Sequence, residues 1–182
     1  MVRWILLGLV VVLVVAAVVL YNRLVELRNR IESAWAHIDV QLRRRYDLIP
    51  NLIETVKGHA GHERDVLEQV TRARAAAASA GGVAEQARAD DQLSSALTSL
   101  FAVSEAYPEL GVDQGFLQLR EDLSATEGRV AYAGQFYNDT VLRYNTRIQS
   151  FPSLVFARAL QFRPREYFEA NGAVRGPVPV DF

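Results

Sequence analysis

Apolar positions along the chain form first a continuous block and then periodic stripes. The block is "WILLGLVVVLVVAAVVLY", Trp4 to Tyr21, which carries no charged residue. A bilayer core about 30 Å thick requires about 20 apolar residues at 1.5 Å rise each, so the block predicts a membrane-spanning helix. Trp4 and Tyr21 bracket it as interfacial aromatics do. No A-x-A-type cleavage site follows, because Ala16 and Ala17 lie inside the run, so an uncleaved anchor is expected rather than a signal peptide. Beyond it, Leu24, Leu27, Ile31, Trp35, Ile38 and Leu42 recur at helical spacing, which predicts that the anchor runs on as one helix. Ile49, Leu52, Ile53, Val56 and Ala60 form a further stripe, which Val66, Leu67 and Val70 extend. Pro50 lacks a backbone donor and disfavours helical geometry at Ile49, so a kink or a restart capped by Asp47 is expected there. Gly58 to Gly61 is a second weak point, and the pattern leaves open which of the two is the turn.

Ser79 to Gly82 reads as an inter-helix turn, followed by a helix over about Val83 to Tyr107 with Leu93, Leu97, Leu100 and Phe101 inward. The last long helix shows the strongest period. Phe116, Leu123, Val130, Tyr137, Tyr144 and Phe151 are spaced by seven, flanked by Leu119, Ala133, Val141 and Ile148, until Pro152 stops the helix. A sustained seven-residue repeat favours coiled-coil-like packing. No segment alternates as a strand would. The expected fold is all-α: an N-terminal transmembrane helix continuing into an up-and-down antiparallel helical bundle with long coiled-coil-like helices. The organisation read from the pattern is a short N-terminus (1–3), a transmembrane helix (4–21), a helical bundle domain (22–170) and a flexible tail (171–182).

Charge adds an orientation. Arg3 precedes the span, whereas Arg23, Arg28, Arg30 and then Arg43, Arg44 and Arg45 follow it. Positive charge beside a span favours the cytoplasm, so the N-terminus is expected outside and the bundle inside a bacterial inner membrane. A net charge of −1 gives no global field for nucleic acid. The absence of cysteine excludes disulfides, thiol catalysis and cysteine-ligated metal centres.

Several blocks together carry a family resemblance. "YNRLVELRNRIESAWAHIDVQLRRRYDLIPNLIETVKGHAGHE", "AYPEL", "FLQLREDLSATEGRVAYAGQFYNDTVLRYNTRIQSFPS" and "REYFEA" resemble the LemA family over about Tyr21 to Ala170. The resemblance implies a bacterial membrane protein with one N-terminal span and a helical bundle, with no established reaction. Membrane proteases and small acidic-domain membrane proteins are partners it suggests. The sequence departs from the family pattern at Leu154, where an asparagine is usual, and at "RALQFRPREYFEA", which replaces a glycine-rich segment.

Candidate chemistry is sparse. "HAGHE" sets His59, His62 and Glu63 together, but the order is neither H-E-x-x-H nor its inverse, and no third ligand is evident. A remote metal-dependent hydrolase would use these three. His37 and Asp39 are too close to face the same way on a helix. The serines lie far in sequence from the histidines, which gives no triad. Glu54 or Glu63 with Glu68 lacks the Glu-x-x-His pattern of a di-iron bundle. No catalytic, cofactor or metal residue is therefore assigned.

Arginines carry the remaining candidates. Arg23, Arg28 and Arg30 are placed to contact anionic lipid. Arg43, Arg44 and Arg45 lie roughly 33 Å beyond Tyr21 along a straight helix, outside a screening length of about 8–10 Å. They are expected to form a face for a partner or second subunit, or a solvated face paired with Glu121, Asp122 and Glu127. The expected function is a membrane-anchored helical scaffold or adaptor, self-associating or bound to other membrane proteins. The alternative is a signalling or envelope-stress component.

Overall fold

The computed structural model describes residues 2–60 and 63–169. The described residues are helical without strands: α1 (Val2–His59), α2 (Arg64–Ser79), α3 (Val83–Ser104), the single turn α4 (Pro108–Gly111), α5 (Gln114–Gln149) and α6 (Ser153–Ala159). The chain is all-α, with its apolar block and the following stripes in one helix. Contacts divide it into two compact units. One comprises Met1–Trp35 with Phe136–Glu166, the other Ala36–Gln135 with Tyr167–Phe182.

The second unit is an up-and-down arrangement of helices. Its core holds Ile38, Leu42, Ile49, Leu52 and Val56 of α1, Leu67 and Val70 of α2, Leu93, Leu97 and Leu100 of α3, and Phe116, Leu123 and Val130 of α5. These are the positions that the periodic stripes predict. The turn between α2 and α3 falls at Ala80–Gly82, inside the expected Ser79–Gly82 segment. Direction follows from the contacts. The Phe101 ring meets Phe116 edge-on at 6.2 Å, while Arg45 reaches both Asp90 and Glu127, so α3 and α5 run antiparallel. Late in α5, Gly134 leaves room for the buried ring of Phe168, where a Cβ would stand 3.0 Å from the ring.

Of the two weak points that the pattern leaves open, the chain turns at the second. α1 neither breaks nor restarts at Asp47; it passes through Pro50, and the chain turns after His59. Proline at position 50 removes the N–H that would bond the carbonyl of Tyr46 one turn earlier. Arg74 of α2 supplies the missing donor, its Nε bonding the Tyr46 carbonyl at 2.8 Å. The orphaned acceptor is satisfied from a neighbouring helix, so the sequence need not end the helix to satisfy it. At the true turn the Ala60 N–H donates to the Val56 carbonyl and the Glu63 N–H to that of Ala60.

In the first unit, α1 and α5 run antiparallel. Trp35 packs edge-on to Tyr137 at 5.7 Å, and Tyr21 meets Phe162, beyond the end of α5, at 6.1 Å. Past α6 the chain turns at Gln161, whose φ of 57° lies in the left-handed region, and then runs without secondary structure from Phe162 to Glu169. α5 grips the first part of this strap by its peptide groups. Tyr144 Oη donates to the Arg163 carbonyl at 3.0 Å, and Tyr137 Oη to that of Glu166 at 3.0 Å. Asn145 makes a reciprocal pair with Arg165, Nδ2 donating to the carbonyl and the N–H returning to Oδ1, each at 2.9 Å. Burial raises both tyrosine hydroxyls above the ordinary phenol range, keeping them protonated donors. The seven-residue stripe is buried from Phe116 through Tyr144, but Phe151 is 83% exposed. α5 ends at Gln149, so the last member of the repeat points away from the core. The expected tail, 171–182, lies outside the described residues.

Candidate functional site

Two features stand out chemically, one in each unit. In the second unit a buried polar cluster crosses the core. Arg45 occupies an inward position of α1, between Leu42 and Ile49, and is 2% exposed. Its Nη1 bonds Asp90 Oδ1 at 2.9 Å, and its Nη2 bonds Ser94 Oγ at 2.9 Å and approaches Glu127 Oε1 at 3.8 Å. Beside it, Gln86 Nε2 donates to the Tyr46 hydroxyl at 2.7 Å and to the Ala77 carbonyl at 2.9 Å. Burial pushes the Asp90 carboxyl above the usual carboxylate range; the Arg45 guanidinium and its hydrogen bond oppose that without cancelling it. Burial likewise drives the Tyr46 hydroxyl well up, reinforced by the Asp90 charge.

This overturns one assignment. Arg45 does not share a face with Arg43 and Arg44, because successive helical residues point about 100° apart and only Arg45 points inward. It is therefore withdrawn from the partner face. Of the three acids named as salt-bridge partners for the run, Glu127 alone is met, and by Arg45. Arg43 pairs with Asp39 at 3.0 Å along its own helix, in the open, and Arg44 is exposed. Such exposed i,i+4 pairs contribute only about 0.3–0.5 kcal/mol, whereas removing one partner from a buried pair costs roughly 3–5 kcal/mol.

Sequence reasoning missed Asp90, Ser94, Gln86 and Tyr46. A signal existed for two members of the cluster. Asp90 continues the α3 stripe of Leu93, Leu97 and Leu100 at the same spacing, and Arg45 continues that of Ile38, Leu42, Ile49 and Leu52. A charge on an inward stripe needs a partner. The chemistry of the cluster is structural in character: opposite charges joined inside a helical core, with both Arg45 Nη atoms bonded while its Nε is buried without a partner.

The other candidates are dispersed. His59 Nδ1 lies 3.1 Å from the Thr55 carbonyl, and Glu63 Oε1 accepts from the Tyr107 hydroxyl at 3.0 Å, which raises that phenol. His62 lies outside the described residues. Between α2 and α3 an open groove of about 590 Å³ is lined by small and polar residues, among them Ala73, Ala76, Ser95 and Gln92.

The first unit holds the second feature, the apolar block. Its side chains from Trp4 to Ala16 are all exposed, and the helix is long and apolar enough to cross a membrane. Close after it, Arg28 pairs with Glu32 at 3.3 Å and Arg30 with Glu26 at 2.7 Å, both exposed, while Arg23 is exposed.

Comparison with known proteins places this architecture. A model of the LemA family matches residues 34–182. The chain is 24% identical over 197 residues to magnetosome protein MamQ 2 of Paramagnetospirillum magneticum, covering 94% of this chain and 72% of that protein. It is also 24% identical over 186 residues to magnetosome protein MamQ of Magnetospirillum gryphiswaldense, covering 88% and 68%. Protein LemA of Metamycoplasma hominis is 23% identical over 161 residues, covering 88% and 73%.

Proposed function

Given that the chain belongs to the LemA family, we propose that it is a single-pass membrane-anchored helical scaffold that presents helix faces to partner proteins rather than catalysing a reaction. The observation that carries the proposal is the bare apolar block of α1, from which helix the protein core begins to be built at Leu24. A run of exposed Leu, Val and Ile needs an apolar phase, and a bilayer supplies it at the matching length. The polar cluster supports the non-enzymatic part, because Arg45 and Asp90 are bonded to each other and buried within the core.

The bundle lies on the cytoplasmic side of a bacterial inner membrane in this reading. The arginines after the span favour that side, and Arg23, with Arg28 and Arg30 beside their glutamates, meets anionic headgroups. The partner face is narrower than the arginine run. Val40, Arg43 and Arg44 lie at i, i+3 and i+4 on the exposed side of α1, and they join this chain to a membrane-protein partner or a second copy.

Crosslinking of the full chain in its native membrane, followed by purification, tests the scaffold. A discrete complex that Arg43→Glu/Arg44→Glu dissolves is expected. A strictly monomeric product with no co-purifying protein overturns the reading. Protease added outside inverted vesicles, which expose the cytoplasmic face, tests the side: a C-terminal tag that stays protected reverses the orientation.

A further inference from the structure

The apolar block of α1 sets where the bilayer boundary falls along the chain. Side chains from Trp4 to Ala16 are exposed, as are Val18, Val19 and Tyr21, while Ala17 and Leu20 are half-buried and Leu24 is fully buried. From Trp4 to Tyr21 the block covers about 27 Å at 1.5 Å per residue, close to a hydrocarbon core of about 30 Å. The bilayer boundary therefore falls near Tyr21, where protein already packs against the helix.

The structure identifies what packs there. Tyr21 meets Phe162 at 6.1 Å, and the Phe162 N–H donates to the Ala157 carbonyl at 2.9 Å, which ties α6 to the same level. The α1–α5 pairing gives the same height independently. From Tyr137, which faces Trp35, α5 runs back to Gln149, a distance of about 18 Å. The same distance along α1 from Trp35 ends near Arg23.

The composition of this segment fits lipid. Ser153 and Ala157, the small residues of α6, face inward, whereas Phe151, Val155 and Leu160 are 83%, 58% and 50% exposed. A water-facing helix would show the reverse. From Ser150 to Arg165 there is no aspartate or glutamate, while Arg158 and Arg163 are exposed, which suits an anionic headgroup layer. We propose that the α5–α6 turn and α6 form a second, non-spanning membrane contact, with Phe151, Val155 and Leu160 seated at the acyl–headgroup boundary of the bilayer that α1 crosses. The proposal rests on the spanning role of α1.

The chain has no cysteine, so single labels can be placed in the full protein. Nitroxides at Leu13→Cys, Asn29→Cys, Phe151→Cys, Val155→Cys and Leu160→Cys are read in phosphatidylcholine/phosphatidylglycerol vesicles by power saturation with oxygen and with a nickel chelate. Leu13 is expected to be oxygen-accessible and Asn29 nickel-accessible. The three α6-region labels are expected to favour oxygen several-fold more than Asn29 does. If Leu13 is lipidic but those three match Asn29, the α6 contact is overturned and the anchor stands. If they are shielded from both reagents, protein covers them and the lipid assignment is overturned. A nickel-accessible Leu13 overturns the anchor and the α6 contact together.

Discussion

The bond from Arg74 to the Tyr46 carbonyl makes a quantitative prediction, because its need is created by Pro50. Three variants test it: Arg74→Met, which keeps an apolar stem without a donor; Pro50→Ala, which returns the N–H; and the double variant. In the wild-type background Arg74→Met leaves the Tyr46 carbonyl without its 2.8 Å donor. A hydrogen bond from a charged donor contributes about 1.5–3 kcal/mol, and Arg74 is half-buried, so the loss is placed at the low end, about 1.5 kcal/mol. With alanine at position 50 the helix satisfies the carbonyl itself, and the same change costs roughly 0.5 kcal/mol or less. The coupling between the two sites is then about 1 kcal/mol. Pro50→Ala alone is stabilising, because the interior helix penalty of proline, about 3 kcal/mol in isolation, exceeds the roughly 0.4–1 kcal/mol gained by restricting the unfolded chain. The assay is urea unfolding of the full chain in mild detergent, followed by helical circular dichroism. Costs of Arg74→Met that agree in the two backgrounds within about 0.5 kcal/mol, the usual additivity limit, refute the compensation.

Other expectations follow from the core. Arg45→Ala strands Asp90 among apolar side chains and is expected to cost roughly 3–5 kcal/mol in the same unfolding assay, while Arg43→Ala changes stability by less than about 0.5 kcal/mol; equal effects would contradict the burial difference. Gly128 and Gly134 both lie in α5, but only Gly134 faces a ring, at 3.0 Å. Gly128→Ala should stabilise by about 0.5–1 kcal/mol, whereas Gly134→Ala should destabilise by about 1 kcal/mol or more through displacement of Phe168. For Asp90 the folded carboxyl titrates above its unfolded value, so the native state holds the proton more tightly. Its contribution is full below about pH 3.9 and is lost as pH rises through the folded value. The stability of wild type minus that of Asp90→Asn should therefore fall with rising pH across that window; a flat or rising difference would refute the assignment.

The positions that sequence periodicity revealed are those whose environment is local. The stripes from Leu24 to Val56 and from Phe116 to Tyr144 describe faces of single helices, and the core follows them. Pro50 left the place of the turn undecided, because its compensation comes from Arg74, on another helix. The run of arginines suggested one surface because adjacency in sequence was read as adjacency in space; Arg45 belongs to the inward stripe and finds Asp90 and Ser94 on α3. Phe151 extended the repeat arithmetically past the physical end of α5. The Phe162–Glu169 strap has no period, so its position could not be read from spacing. The family blocks were legible through motif content, yet their names attach no reaction to any of these residues.

The strap has a consequence for sequence drift. Tyr137, Tyr144 and Asn145 hold it through the carbonyls of Arg163, Arg165 and Glu166 and the N–H of Arg165. Those groups are common to nearly every amino acid. Side chains from position 163 to 166 are thus interchangeable so long as the backbone keeps its course, whereas Phe162 and Phe168 on either side are held by their rings. Proline at position 165 would be the exception, since it alone lacks the hydrogen that Asn145 accepts.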